Sequence, residues 1–203
     1  MTGYSFSPKQ RQVLTWWMPG SAQHGYEAIV CDGAVRSGKT LAMGLSFFLW
    51  ASTCFDGMRF GICGKTVQSA ERNVLKPLQQ NEDLPYTMTY KVSTRVLTVK
   101  CGKKTNWFYL FGGKDESSYM LIQGITLAGV FFDEVALMPE SFVNQATGRL
   151  SVDGSKMWFN CNPEAPLHWF KRNWIDRADE KGLLCLHFTM DDNLSLSEDI
   201  KAR

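Results

Sequence analysis

Eight consecutive residues constrain this chain more than any others: Gly33-Ala34-Val35-Arg36-Ser37-Gly38-Lys39-Thr40, a fit to Gly-x-x-x-x-Gly-Lys-Thr/Ser. A short apolar run, Ala28 to Cys31, precedes them, and a long apolar stretch of helical character, Lys39 to Cys54, follows. Strand, loop and helix in that order make a phosphate cradle. Two glycines let backbone N–H groups curl around a β-phosphate, and the helix N-terminus presents its positive end to the anion. A lysine then reaches the β and γ oxygens and a hydroxyl is left for Mg²⁺, the positions of Lys39 and Thr40. The nucleotide-binding segment is therefore expected to be Gly33, Ala34, Val35, Arg36, Ser37, Gly38, Lys39 and Thr40. By chance the pattern arises in roughly one chain of this length in a hundred, before the correct context is counted.

A second element fits the first. The apolar run Leu127 to Phe132 ends in Asp133-Glu134. Alone this is weak, since turns often begin with acids. Beside a phosphate cradle the two carboxylates take separate tasks: Asp133 at the strand end holds the Mg²⁺ shell, and Glu134 orients and deprotonates the attacking water. An acid directly after the metal-holding Asp favours the hydrolytic branch of such proteins over nucleotide kinases. No Asn-Lys-x-Asp segment for reading guanine is present, so ATP with Mg²⁺ is the expected pair.

The rest of the chain supplies a frame for these elements. At 203 residues, with 44% hydrophobic and 13% aromatic side chains and a net charge of +2, it has the composition of one packed domain, neither disordered nor coated with basic charge. Apolar runs of strand length recur at Ala28 to Cys31, Phe60 to Cys63, Leu127 to Phe132, Met157 to Cys161 and Leu183 to Phe188, which suits central parallel strands covered on both faces. Arg95 to Lys100 and Asn106 to Phe111 flank a turn-like Cys-Gly-Lys-Lys-Thr and predict an antiparallel hairpin. Helices are expected at Lys39 to Cys54, Val67 to Gln80, Pro139 to Arg149 and Pro166 to Arg177. The expected fold is a three-layer α/β/α P-loop NTPase of the ASCE/RecA-like kind, with a mostly parallel sheet plus antiparallel additions. The six cysteines lack C-x-x-C spacing and read as small buried hydrophobes of a reducing compartment. The N-terminus lacks the pattern of a signal peptide and no run reaches membrane length. Most tryptophans, Trp16, Trp17, Trp107, Trp158, Trp169 and Trp174, are expected in the core or at an interface.

Three features taken together carry a resemblance: Arg36 within the phosphate loop, Asp133-Glu134-Val135-Ala136, and Asn160-Cys161-Asn162-Pro163-Glu164-Ala165-Pro166-Leu167-His168-Trp169-Phe170. With Phe6-Ser7-Pro8-Lys9-Gln10 and Gln123-Gly124, these segments resemble the large subunit of tailed-phage terminases, the ATPases that pump DNA into procapsids. The resemblance runs from about Phe6 to the C-terminus. It implies Mg²⁺-dependent ATP hydrolysis driving translocation of double-stranded viral DNA, and partnership with a portal protein and a small terminase subunit in a homo-oligomeric ring. The setting it implies is the cytoplasm of an infected bacterium. It also implies residue roles: Arg36 as a sensor or cis arginine finger on the γ-phosphate, the Asn160 to Pro163 strand end as a coupling motif with Asn162 near the phosphates, and Gln10 as a reader of adenine. Each has a plainer alternative: a loop ion pair for Arg36, an Asx-Pro turn for Asn162, and a helix-surface position for Gln10.

The family's large subunits continue into an RNase H-like nuclease, and nothing in this sequence supplies its acidic cluster, so a single ATPase domain over residues 1–203 without cleavage activity is expected. Lys100, Lys103 and Lys104 with Arg95 nearby read either as DNA-phosphate contacts or as a solvated turn. Two other functions stay open: a different P-loop motor such as a helicase, and an assembly module that binds nucleotide with negligible turnover.

Overall fold

The expected apolar runs all become strands, four of them covered on both faces and the fifth, Leu183 to Phe188, lying at the edge of the sheet. A computed structural model of the protein describes residues 5–81, 84–162, 165–197 and 199. Among these residues one sheet has the strand order β3-β4-β5-β2-β6-β7-β1-β8. Its strands are β1 (Ala28–Gly33), β2 (Arg59–Gly64), β3 (Thr87–Lys91), β4 (Val96–Cys101), β5 (Lys104–Gly112), β6 (Gly129–Phe132), β7 (Lys156–Asn160) and β8 (Leu183–Phe188). From β5 to β8 every neighbouring pair is parallel, and β3 and β4 are antiparallel additions at one edge. The expected hairpin is therefore the end of the main sheet, with β5 shared between the two parts.

Register assigns the aromatic residues to opposite layers. Phe131 lies between Ile62 and Trp158, and Phe132 lies between Cys63 and Phe159. The first set packs beneath α1 (Pro8–Thr15) and α2 (Lys39–Cys54), the second beneath α5 (Glu140–Thr147) and α6 (Trp169–Asn173). Within the first, the Phe47 ring meets Phe60, Phe108 and Trp158 at 5.9, 5.7 and 5.1 Å between centroids. Truncating such a residue costs about 3–5 kcal/mol, enough to threaten the fold. The α2 helix is apolar nearly all round because it is enclosed by the sheet, α1 and the helical segment after β2.

Several expectations need correction. The helix over Val67 to Gln80 is α3 (Val67–Ala70), a π-helical stretch Glu71–Leu75 and α4 (Lys76–Gln79). The three are contiguous, and the π turn comes just before Pro77, which has no N–H for the Asn73 carbonyl and a ring that would crowd it in a regular helix. The helix expected over Pro166 to Arg177 is shorter and divided: α6 begins after His168, whose Nδ1 accepts from the Phe170 N–H, and Trp174, at φ −124° and ψ −64°, separates it from a 3₁₀ turn at Ile175–Arg177. Pro163 and Glu164 lie outside the described residues. Pro139 caps α5 instead of sitting in its first turn. Of the cysteines, Cys31, Cys63 and Cys161 are buried, whereas Cys101 is half-buried and Cys54 and Cys185 are exposed, the last because it points outward from edge strand β8. Trp107, near the start of β5, is 36% exposed. Among the described residues no helix is long and apolar enough to cross a membrane.

Candidate functional site

The parallel strands β1, β6 and β7 end side by side, and their tips carry the polar residues singled out by sequence. The phosphate loop leaves β1 at Gly33, where φ is +109° and a Cβ would lie 2.1 Å from the Phe188 carbonyl oxygen, so close approach of β8 demands glycine. Gly38, at φ +81°, is the N-cap of α2. Arg36 and Glu134 are left-handed without being glycine, at φ +63° and +57°, and both border the same cleft of about 210 Å³. Backbone strain of this kind costs about 1–3 kcal/mol and concentrates at functional sites.

Lys39 is buried at the first turn of α2. Its Nζ donates to the carbonyls of Gly33 and Ala34 at 3.0 and 2.6 Å, to Ser37 Oγ at 3.3 Å and to Asn162 Oδ1 at 3.2 Å. Burial lowers its pKa, against the pull of Asp32 and Asp133 among its neighbours. The ammonium and Asn162 are therefore in contact.

One amide joins the two expected metal-holding residues. Asn160, the last residue of β7, donates through Nδ2 to Thr40 Oγ1 at 2.8 Å and to Asp133 Oδ1 at 2.7 Å. Its Oδ1 is buried without a hydrogen-bond partner among the described residues. A hydroxyl, a carboxylate and an unsatisfied amide oxygen joined through one hydrogen-bond network form a hard oxygen set suited to Mg²⁺. Asp133 is 1% exposed; burial raises its pKa, opposed by the donated bonds from Asn73 and Asn160. Glu134 is less buried, and its pKa is raised by burial and by the charge of Asp133, with Arg72 pulling it down. A carboxylate in that condition is better suited to taking a proton than an ordinary surface glutamate.

The remaining expectations divide. Arg36 is exposed at the loop tip, and among the described residues no carboxylate lies within 4 Å of its guanidinium; its carbonyl accepts from Asn193 Nδ2 at 2.7 Å. Gln10 is not a surface residue. It is buried in the capping box of α1, its Oε1 accepting from the Ser7 N–H at 3.0 Å, and its Nε2 lies where a Cβ on Gly38 would sit within 2.5 Å. Lys104 leaves the basic cluster, because its Nζ donates to the Thr53 carbonyl. Sequence reasoning missed Asn73, Arg72 and Asn193. Pro77 within an otherwise helical stretch was the one signal that this helix would depart from regular geometry.

Comparison with known proteins gives consistent matches. A family model described as terminase large subunit, T4likevirus-type, N-terminal, matches residues 30–203. The large terminase of a thermophilic bacteriophage is 56% identical with a TM-score of 0.95 over 98% of this chain and 50% of its own. The same phage protein in complex with ATP-γ-S matches at 54% identity and a TM-score of 0.92, over 98% of this chain and 48% of that one. The ATPase domain of the Thermus phage P74-26 large terminase, 19% identical, shares the fold at a TM-score of 0.61 over 91% of this chain and 86% of that one. No curated protein matches. This chain thus spans about half the length of the thermophilic phage protein.

Proposed function

Since the chain belongs to the family of phage terminase large subunits, matched by its N-terminal model, we propose that the cleft at the tips of β1, β6 and β7 binds ATP with Mg²⁺ and hydrolyses it to drive double-stranded DNA into a procapsid. One observation carries the reading: the Asn160 amide ties Thr40 to Asp133, so the two metal-holding positions lie within one hydrogen-bond network. The thermophilic phage relative in complex with ATP-γ-S is 54% identical over nearly the whole chain, which supports the choice of nucleotide.

In this reading the backbone of residues 33–40 and the Lys39 ammonium hold the phosphates, and Thr40 and Asp133 hold the metal. Magnesium, when bound, neutralises charge on the β and γ oxygens. Glu134 orients water and takes its proton. Arg36, exposed at the loop tip and unpaired by any described carboxylate, turns to the γ-phosphate and stabilises charge in the transition state, a role worth about 10³ or more in rate. Asn162, bonded to Lys39, reports the state of the phosphates to the chain beyond β7, with Asn160 beside it. Gln10 Nε2 is left to donate to the adenine ring, since Oε1 serves the Ser7 backbone.

Duplex DNA is assigned to the antiparallel edge. Between Thr87 and Gly112 the chain carries Lys91, Arg95, Lys100, Lys103 and Lys104 and no Asp or Glu, against a net charge of only +2 for the whole sequence. All but Lys104 are exposed, and sequence-independent phosphate contact needs no more than that. The family further implies a homo-oligomeric ring on a portal, a small-subunit partner and action in the host cytoplasm.

The test is steady-state ATP hydrolysis over a range of protein concentrations, with and without linear duplex DNA, using Lys39→Ala as the blank. Turnover above the blank that rises with concentration or DNA is expected. Nucleotide binding without turnover under every condition would favour an assembly module, and strand separation on a forked duplex would favour a helicase.

A further inference from the structure

Asn73 belongs to none of the sequence motifs, yet it touches the carboxylate on which the metal site depends. Its Nδ2 donates to Asp133 Oδ2 at 2.9 Å. The other carboxylate oxygen, Oδ1, takes the bond from Asn160. Asp133 is thus gripped at both oxygens, from the strand tip on one side and from the helical segment after β2 on the other.

The orientation of the Asn73 amide is determined by its neighbours. Its Oδ1 accepts from Arg72 Nε at 3.1 Å, while the Asp133 carboxylate can only accept. Turning the amide over would set oxygen against carboxylate and nitrogen against guanidinium, losing both bonds. The backbone beneath it is unusual as well. Asn73 lies in the π-helical stretch, where the Lys76 N–H donates to the Glu71 carbonyl, one residue further back than in an α-helix. Pro77 disfavours the regular alternative, since its ring would crowd the Asn73 carbonyl, for which it has no N–H. Single π turns of this kind recur at functional sites because they displace a side chain from the regular helical path.

We propose that Asn73 is a positioning residue for the metal-holding carboxylate: it fixes the plane of Asp133 so that Oδ1 stays directed toward Thr40, and Arg72 orients the Asn73 amide in turn. The inference rests on the assignment of Thr40 and Asp133 to Mg²⁺. Partners one bond removed from a metal set the orientation of its ligands, and their removal weakens metal affinity by about 10- to 100-fold.

The experiment separates metal from nucleotide. ATP-γ-S binding to the wild-type chain, Asn73→Ala and Asn73→Leu is measured by calorimetry in EDTA and across a Mg²⁺ titration, below each protein's own melting temperature. The leucine variant keeps the bulk of the side chain and removes only its polar atoms, so that packing loss and donor loss are told apart. In both variants the Mg²⁺ concentration giving half of the metal-dependent gain in affinity should rise about 10- to 100-fold, while affinity in EDTA stays within about twofold of wild type. A purely structural role would weaken binding equally with and without metal, and that result would overturn the proposal. So would a Mg²⁺ requirement unchanged in the variants. A wild-type protein whose nucleotide binding ignores Mg²⁺ would instead overturn the underlying site assignment.

Discussion

The parallel centre of the sheet and its antiparallel edge use polar residues in opposite ways. At the centre Lys39, Asp133 and Asn160 are buried, Lys39 donating to Asn162 and the phosphate loop and Asn160 donating to Thr40 and Asp133. At the edge Lys91, Arg95, Lys100 and Lys103 stand in solvent with no acid between Thr87 and Gly112. Buried polar groups are costly and stay only where a network satisfies them, so each substitution there should have a large and specific effect. The exposed cations of the edge act on duplex phosphates through summed charge, so each of them should contribute little alone.

Four outcomes would sharpen or break that contrast. Removing the Arg36 side chain as Arg36→Ala should slow turnover by about 10³ while leaving ATP affinity little changed; unaltered turnover would return Arg36 to the role of an ordinary loop residue. Next comes Lys39→Ala, which should weaken ATP binding by about 10- to 100-fold in titration calorimetry, as loss of a charge-assisted bond from a buried donor implies. The pH profile gives a smaller effect. Burial and the charge of Asp133 raise the Glu134 pKa, so the base is lost to protonation, and turnover falls, at a higher pH than an ordinary glutamate would give. Arg72→Ala removes the charge that opposes this shift and should move the acid limb of the profile further up; a limb at the ordinary glutamate value would exclude Glu134 as the titrating base. Smallest singly are the edge cations: each of Lys91→Ala, Lys100→Ala and Lys103→Ala should reduce the salt dependence of duplex binding by about one phosphate contact, with ATP affinity unmoved. If they altered ATP binding instead, the two regions would not be separate.

The same contrast explains what the sequence made legible. The phosphate loop and Asp133-Glu134 are local, with spacing dictated by phosphate and metal chemistry, and the five apolar runs match strands to within one or two residues, four of them central strands whose burial on both faces leaves nearly continuous hydrophobic stretches and the fifth the edge strand β8. Edge strand β3 was not anticipated: alternate residues of Thr87–Lys91 face solvent, and only Met88 and Tyr90 turn inward against the core. Helix α1 is polar apart from Val13 and Leu14, and its only strong mark was Ser7-Pro8-Lys9-Gln10, the start of a capping box that sequence inspection can find. Asn73 was hidden for a different reason. Its contact with Asp133 joins residues distant in sequence through a π turn, and no local pattern encodes that meeting.

The most direct test of the central claim is a paired measurement on wild-type protein and Glu134→Gln: ATP turnover with Mg²⁺, alongside ATP-γ-S affinity by calorimetry. The glutamine keeps the shape of the side chain and removes its capacity to take a proton. Turnover reduced by about 10² to 10⁴ with affinity unchanged is the expected result. Equal turnover in the two proteins would contradict the assignment of Glu134 as the base, and with it the reading of the strand tips as a hydrolytic site.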